Sequence, residues 1–237
     1  MDTRGEKGRG TWLFLHGAAL DARVWAPWRA RLGGRALDLP GRGARAAVEA
    51  DVGAFAAALS PEVPADAVVV GHSMGGAVAM ELALRRPLAG LVLVATGARL
   101  RVSPAILDHV ADAAARGVVA RLIGGLWGPE APVELQTLFA ESEASVSPDS
   151  ALADWRAADR FDRRTQLAQL RVPTLVIGGD DDALTPPRYA QWLADTLPQS
   201  TILRLPGGHL AAWEELELTV AHVRRWAAQC NINLDLR

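Results

Sequence analysis

The sequence holds a single cysteine, a single lysine and a single tyrosine in 237 residues. Cys230 has no partner for an intrachain disulfide, and no Cys/His group has zinc-finger spacing, so neither sulfur bridges nor structural zinc hold this fold together. That scarcity fits a reducing compartment. The charged start, Met1-Asp2-Thr3-Arg4-Gly5-Glu6-Lys7, lacks the apolar core of a secretory signal, and a cytoplasmic location is expected. Long apolar runs are also missing. The longest stretch free of acidic and basic residues, Ala67–Met80, spans 14 residues, where a membrane helix needs about 20. No excess of one charge is present either: 25 basic and 27 acidic residues leave a net −2, which excludes a strong global field for nucleic acid or an anionic membrane. No nucleic acid and no membrane is expected as a partner, and a monomer is the default state.

Half of the residues are hydrophobic, with 22 Gly and 14 Pro, the composition of an ordinary globular chain. A chain of this length buries about 70–75% of its unfolded surface, enough to stand without staples. Short apolar runs that end in Gly, Asp or Pro alternate with Ala-rich stretches, the pattern of parallel strands joined by crossover helices. The predicted strands are Thr11–Leu15, Arg35–Asp38, Ala67–Val70, Leu91–Val94, Thr174–Ile177 and Ile202–Leu205. Helices are predicted at Ala77–Leu84, Pro187–Thr196 and Leu210–Ala228, where apolar residues recur every three or four positions. Between Ala98 and Arg160 the strand signal disappears. Leu107–Ile123, Val133–Phe139 and Leu152–Ala158 look helical there, broken by Gly124-Gly125, Pro129, Pro132 and Pro148. The expected organisation is a core of 1–98 and 161–237 with a helical cap, 99–160, inserted in it. The charge run Asp159–Arg164 reads as a solvated face or hinge at the end of that insertion.

One segment carries a chemical signal. Gly71-His72-Ser73-Met74-Gly75 follows Val68-Val69-Val70 and precedes a helix-like run, giving strand, tight turn and helix. A serine there is projected above the strand end on a strained elbow, and the two glycines remove side chains that would block close packing. With 22 Gly and eight Ser, chance placement gives about 0.07 Gly-x-Ser-x-Gly matches in this length. A serine hydroxyl is a poor nucleophile without a base, so the motif demands a histidine and a group to orient it.

Of five histidines, His209 lies in the turn Pro206-Gly207-Gly208-His209 beyond the last predicted strand, where it can reach over the strand ends. His109 and His222 fall in helical segments, His72 points away from the adjacent serine, and His16 organises its own loop. Asp180, Asp181 and Asp182 follow Gly178-Gly179; one of them can hold the imidazole N–H, and spacing alone leaves all three open. The oxyanion of a tetrahedral intermediate needs two backbone donors. Met74 N–H at the helix start is one candidate and Ala18 N–H, in the small-residue turn Gly17-Ala18-Ala19, the other.

Taken in order, Leu15-His16-Gly17, Asp38-Leu39-Pro40-Gly41-Arg42-Gly43, Gly71-His72-Ser73-Met74-Gly75-Gly76, Pro173–Pro186 and Gly208-His209 resemble the α/β-hydrolase superfamily, specifically its small capped serine hydrolases. The order serine, acid, histidine is also that of this superfamily. The resemblance implies an α/β-hydrolase fold with a mostly parallel sheet, helices on both faces and a small helical cap. Only about ten residues precede the first strand, so the antiparallel strands that usually open the fold are expected to be missing or vestigial. The family spacing Gly-x-x-Asp-x-x-Thr/Val-Pro selects Asp182 from the three. Ala44-Arg45 stands where the family often has serine.

The implied enzyme is a cofactor-free, metal-free serine esterase with Ser73 as nucleophile, His209 as base and Asp182 as orienting acid. Its expected partner is a small-molecule acyl substrate, a small or medium carboxylic ester cleaved through an acyl-enzyme. Ser73 argues against dehalogenases and epoxide hydrolases of this superfamily, which use aspartate. The elbow and cap are similar to carboxylesterases, including those that cleave a pimeloyl carrier-protein methyl ester, and also to thioesterases and C–C bond hydrolases. A hydrolase-like receptor with little turnover is the alternative from another class. Cap residues Leu122, Ile123, Leu126, Trp127, Leu138, Phe139, Trp155 and Phe161 are available to line an acyl pocket or to pack the cap, with Trp127 and Phe139 the leading pocket candidates.

Overall fold

A computed structural model of the chain describes residues 10–120, 126–128 and 130–234. Strands β1 (Trp12–Leu15), β2 (Arg35–Leu37), β3 (Val68–His72), β4 (Gly90–Val94), β5 (Thr174–Gly179) and β6 (Ser200–Leu205) form one sheet in the order β2-β1-β3-β4-β5-β6. Every neighbouring pair is parallel. The sheet is therefore wholly, rather than mostly, parallel among the described residues. No strand precedes β1 there; β2 closes that side as a three-residue edge with Arg35 exposed, a short charged edge of the kind that resists pairing with another chain.

Alternation along the strands assigns side chains to two faces. Leu13, Leu15, Val69, Leu91, Leu93 and Val176 pack with helices α2 (Val52–Leu59), α3 (Met74–Arg85) and α7 (Pro187–Thr196). Trp12, Phe14, Val68, Val70, Val92 and Val94 face the other way, onto α1 (Ala26–Leu32), α8 (Ala211–Glu214) and α9 (Leu216–Gln229). Burial on both faces is why the strands read as continuous apolar runs. Helices α1 and α2 carry no clear periodic signal. Both are short, Pro27 occupies the first turn of α1, and Gly53 lies inside α2. The stretch predicted as one helix over Leu210–Ala228 is two, separated at Glu215 (φ −97°, ψ 42°).

The segment after β4 carries α4 (Pro104–Ala115), α5 (Val133–Ala144) and α6 (Pro148–Arg160). Helix α4 ends before the predicted Ile123, and Leu122, Ile123, Gly124, Gly125 and Pro129 lie outside the described residues. Entry and exit of this segment meet in an antiparallel bridge, Arg99 opposite Asp162, with Leu100 N–H donating to Phe161 O (3.2 Å) and Arg163 N–H to Ala98 O (2.9 Å). Arg163 also reaches buried Glu81 of α3 at 2.7 Å. The charge run thus ties the neck of the segment to the core. No helix among the described residues is long and apolar enough to cross a membrane.

The β1–α1 side of the core is aromatic. Trp25 is fully buried, with ring centroids 5.2 Å from Phe14, 5.2 Å from Trp28 and 4.8 Å from Trp213. Trp25→Ala is expected to cost about 3–5 kcal/mol of folding stability through the cavity it leaves, read as a lowered urea midpoint with an unchanged slope.

Candidate active site

Strand β3 ends in a turn too tight for ordinary backbone. Ser73 precedes α3 with φ 52° and ψ −119°, a conformation that costs a non-glycine residue about 1–3 kcal/mol and persists only where its surroundings fix it. Those surroundings are visible. A Cβ on Gly71 would strike the Gly75 carbonyl, and one on Gly75 would strike the carbonyls of Leu15 and His16. Ser73 N–H donates to Val94 O (2.9 Å), and the Thr96 hydroxyl donates to Ser73 O (2.7 Å).

The loops after β5 and β6 bring an acid and a base together. His209 Nδ1 lies 2.8 Å from Asp182 Oδ2, and both side chains are buried. The other carboxylate oxygen accepts from Leu184 N–H and Thr185 N–H, each at 2.8 Å, and the Thr185 hydroxyl donates to Oδ2 at 2.6 Å. Burial by itself raises the Asp182 pKa, but the hydrogen bond and charge of His209, with the Thr185 donors, hold it below the ordinary carboxylate value. The neighbouring acids are elsewhere: Asp180 pairs with Arg204 at the surface and Asp181 is exposed. With Nδ1 facing Asp182, Nε2 is the nitrogen left for proton transfer. No hydrogen bond joins it to the Ser73 hydroxyl among the described residues, a gap that substrate binding commonly closes in such sites.

Ser73 opens on a cleft of about 200 Å³ lined also by Ala18, Met74, Leu100, Val102, Ile106, Trp155 and Leu184. The backbone N–H groups of Ala18 and Met74 make no hydrogen bond to a protein acceptor among the described residues, so both are available to an oxyanion. Trp155 lines this cleft, whereas Trp127 and Phe139 do not. Their rings meet edge to face (centroids 5.1 Å apart), and Phe139 meets Trp213 in the same way (5.4 Å), so the two residues pack the inserted segment onto the core. Phe161 is likewise a core residue. Sequence gave no signal for Leu100, Val102 or Ile106, which reach the cleft only through the path of the inserted segment. Thr185 is missed as a functional side chain although it stands in the Thr-Pro of the quoted motif.

Two further histidines frame the site. Leu39 N–H donates to His16 Nε2 (2.9 Å), which places the His16 proton on Nδ1, where it is donated to Gly17 O (2.9 Å). His72 packs its ring 4.8 Å from that of His209 and 4.9 Å from Trp213. No group of three or more His, Cys, Asp or Glu among the described residues is placed to hold a metal ion.

The fold and the juxtaposition of elbow, acid and base belong together in one class. Residues 12–222 match the alpha/beta hydrolase family, and the chain belongs to it, as a carboxylic ester hydrolase. Among its relatives, the pimeloyl-[acyl-carrier protein] methyl ester esterase of Aromatoleum aromaticum is 34% identical over 232 residues, covering 81% of this chain and 87% of that protein. The corresponding esterase of Chromobacterium violaceum is 30% identical over 215 residues, covering 82% and 84%. A thermophilic esterase from Thermogutta terrifontis superposes with a TM-score of 0.77 at 28% identity, covering 94% of this chain and 92% of that one.

Burial, and after it the neighbouring Arg42 guanidinium, pushes His16 from 6.5 down to about 3, and burial drives His72 well down too. Both rings stay neutral when folded and take up protons once unfolded, so stability rises with pH between about 3 and 6.5. His16→Gln is expected to flatten that dependence by up to about 1.4 kcal/mol per pH unit, measured from urea midpoints across a pH series.

Proposed function

We propose that this ester hydrolase works through Ser73, His209 and Asp182 and an acyl-enzyme intermediate. Ser73 Oγ attacks the ester carbonyl while His209 Nε2 takes its proton. Asp182 holds the Nδ1 proton and stabilises the imidazolium that forms. The carbonyl oxygen becomes an oxyanion received by Ala18 N–H and Met74 N–H; collapse then expels the alcohol, which leaves with the proton from His209. Water, deprotonated by the same imidazole, attacks the acyl-enzyme and releases the acid. The observation that carries this reading is the buried His209–Asp182 pair at 2.8 Å, set beside a strained serine whose cleft holds two free amides. A fluorophosphonate is expected to label the protein at Ser73. Ser73→Ala should remove both labelling and turnover with the fold intact, and Asp182→Asn should lower kcat by about 10³–10⁴-fold through the wrong imidazole tautomer. Ester turnover that survives Ser73→Ala would overturn the scheme. A panel of ester, acyl-CoA and vinylogous diketone substrates separates it from thioester and C–C cleavage.

One observation favours an ester borne on an acidic carrier over a free small ester. A groove of about 420 Å³ beside the cleft is lined by Arg99, Arg101, Arg164, Arg188, Tyr189 and Trp192, and Arg101 belongs to both. Asp162 pairs with Arg99 and Arg164, while Arg101 and Arg188 have no carboxylate partner among the described residues. Such a field draws in an acidic partner at a rate that salt suppresses. Arg188→Glu is expected to lower kcat/KM for a methyl ester on an acidic carrier protein by about 3–10-fold at low salt, with little change for a free short methyl ester.

A further inference from the structure

The turn that supplies the Ala18 amide is fastened to the inserted segment by a buried ion pair with no part in the proton relay. Ala19, the next residue, has φ 56°, a left-handed conformation that an L-residue with a Cβ adopts at a cost. Its N–H donates to Asp154 Oδ2 at 2.8 Å, across 135 positions of sequence. Asp154 comes from the middle of α6 and is fully buried. Facing it is Arg42, also buried, whose guanidinium grips both carboxylate oxygens: Nη1 donates to Oδ1 at 3.1 Å and Nη2 to Oδ2. The same guanidinium donates from Nε to Leu20 O (3.0 Å) and from Nη1 to Pro40 O (3.2 Å). On the other side of Ala18, a Cβ on Gly17 would lie 2.9 Å from His72 Nδ1 and 3.3 Å from Ser73 Cβ. Ala18 is therefore held between a residue pressed against the serine elbow and one tied to α6.

Stability does not require such a pair. Removing two charges from water is costly, and apolar side chains of similar volume often serve a core as well or better. What apolar residues cannot supply is an acceptor for Ala19 N–H. We infer that Arg42 and Asp154 are positioning residues, which set the Ala18 amide toward the reacting carbonyl and make a working oxyanion hole conditional on α6 being docked. A second tie on the same loop has the same sense. Asp21 N–H donates to Ser142 Oγ (2.8 Å), and the hydroxyls of Ser142 and Ser145 donate back to the Asp21 carboxylate at 3.0 and 2.6 Å, fastening the end of α5.

The inference rests on the serine mechanism proposed above, and the test separates the two. In the double variant Arg42→Met with Asp154→Leu, no charge is left buried without its partner. Its kcat on a short p-nitrophenyl ester is expected to fall about 10–100-fold with KM within about twofold, the signature of a misplaced transition-state donor. Affinity for a trifluoromethyl ketone, whose adduct presents an oxyanion, should fall by the same factor, while the thermal midpoint stays near that of the parent. Asp154→Asn, whose amide oxygen can still accept from Ala19 N–H, should lie between the two, and it decides by the same readings if the double variant does not fold. A folded variant with parental kcat and ketone affinity would overturn the positioning role. If instead Ser73→Ala leaves the parental rate unaltered, it is the serine mechanism that falls.

Discussion

Four segments meet at Ser73, and the site depends on their meeting. The serine is held at φ 52° because β3 turns into α3 where β1 ends, close enough that Gly75 touches the carbonyls of Leu15 and His16. That closeness brings the turn after β1, with the Ala18 amide, beside the first amide of α3. A sheet with its strands all parallel puts every strand's carboxyl end on one edge, and the loops after β5 and β6 therefore deliver Asp182 and His209 to the edge that carries the serine. The strained residue is fixed by the close approach of Gly75 to β1 and by hydrogen bonds to Val94 O and from the Thr96 hydroxyl.

Charge is rationed around this edge. His16 and His72 are buried and neutral, one serving as a hydrogen-bonding bracket between Gly17 and Leu39, the other as a packing surface between His209 and Trp213. Asp182 stays ionised despite burial because four hydrogen bonds converge on its two oxygens. An imidazolium formed at His209 would thus find one anion beside it and no competing cation at His72, which is the electrostatic condition for a base that must hold a proton briefly and return it.

The inserted helices do more than cover the edge. Through Asp154 and through the Asp21–Ser142–Ser145 cluster they grip the loop that follows β1, while Leu210 N–H, next to His209, donates to Leu126 O at 2.9 Å. Phe139 belongs to this fastening, its ring edge-on to Trp213, with Trp127 packed in turn on Phe139. The segment is thus bonded to the loops that carry Ala18 and His209.

Much of this was legible in the chain itself. Six apolar runs, a Gly-His-Ser-Met-Gly-Gly turn and a Gly-Gly-His turn are local signals, because strands buried on both faces and backbone bends each demand particular residues at adjacent positions. Short helices such as α1 and α2 gave no comparable signal, since a helix of seven or eight residues owes its stability to the surface it packs on. Sequence alone also left Asp180, Asp181 and Asp182 equivalent, and only a family spacing chose among them. Their different fates follow from which one lies within reach of an imidazole 27 residues away. The pairing of Arg42 with Asp154 lay further beyond reach: 112 residues separate them, and nothing in either neighbourhood names the other. The sequence determined the elbow, the strands and the residues able to do chemistry; tertiary structure decided which charges were buried together and which amides faced the serine, because desolvation and contact are properties of the folded space between segments.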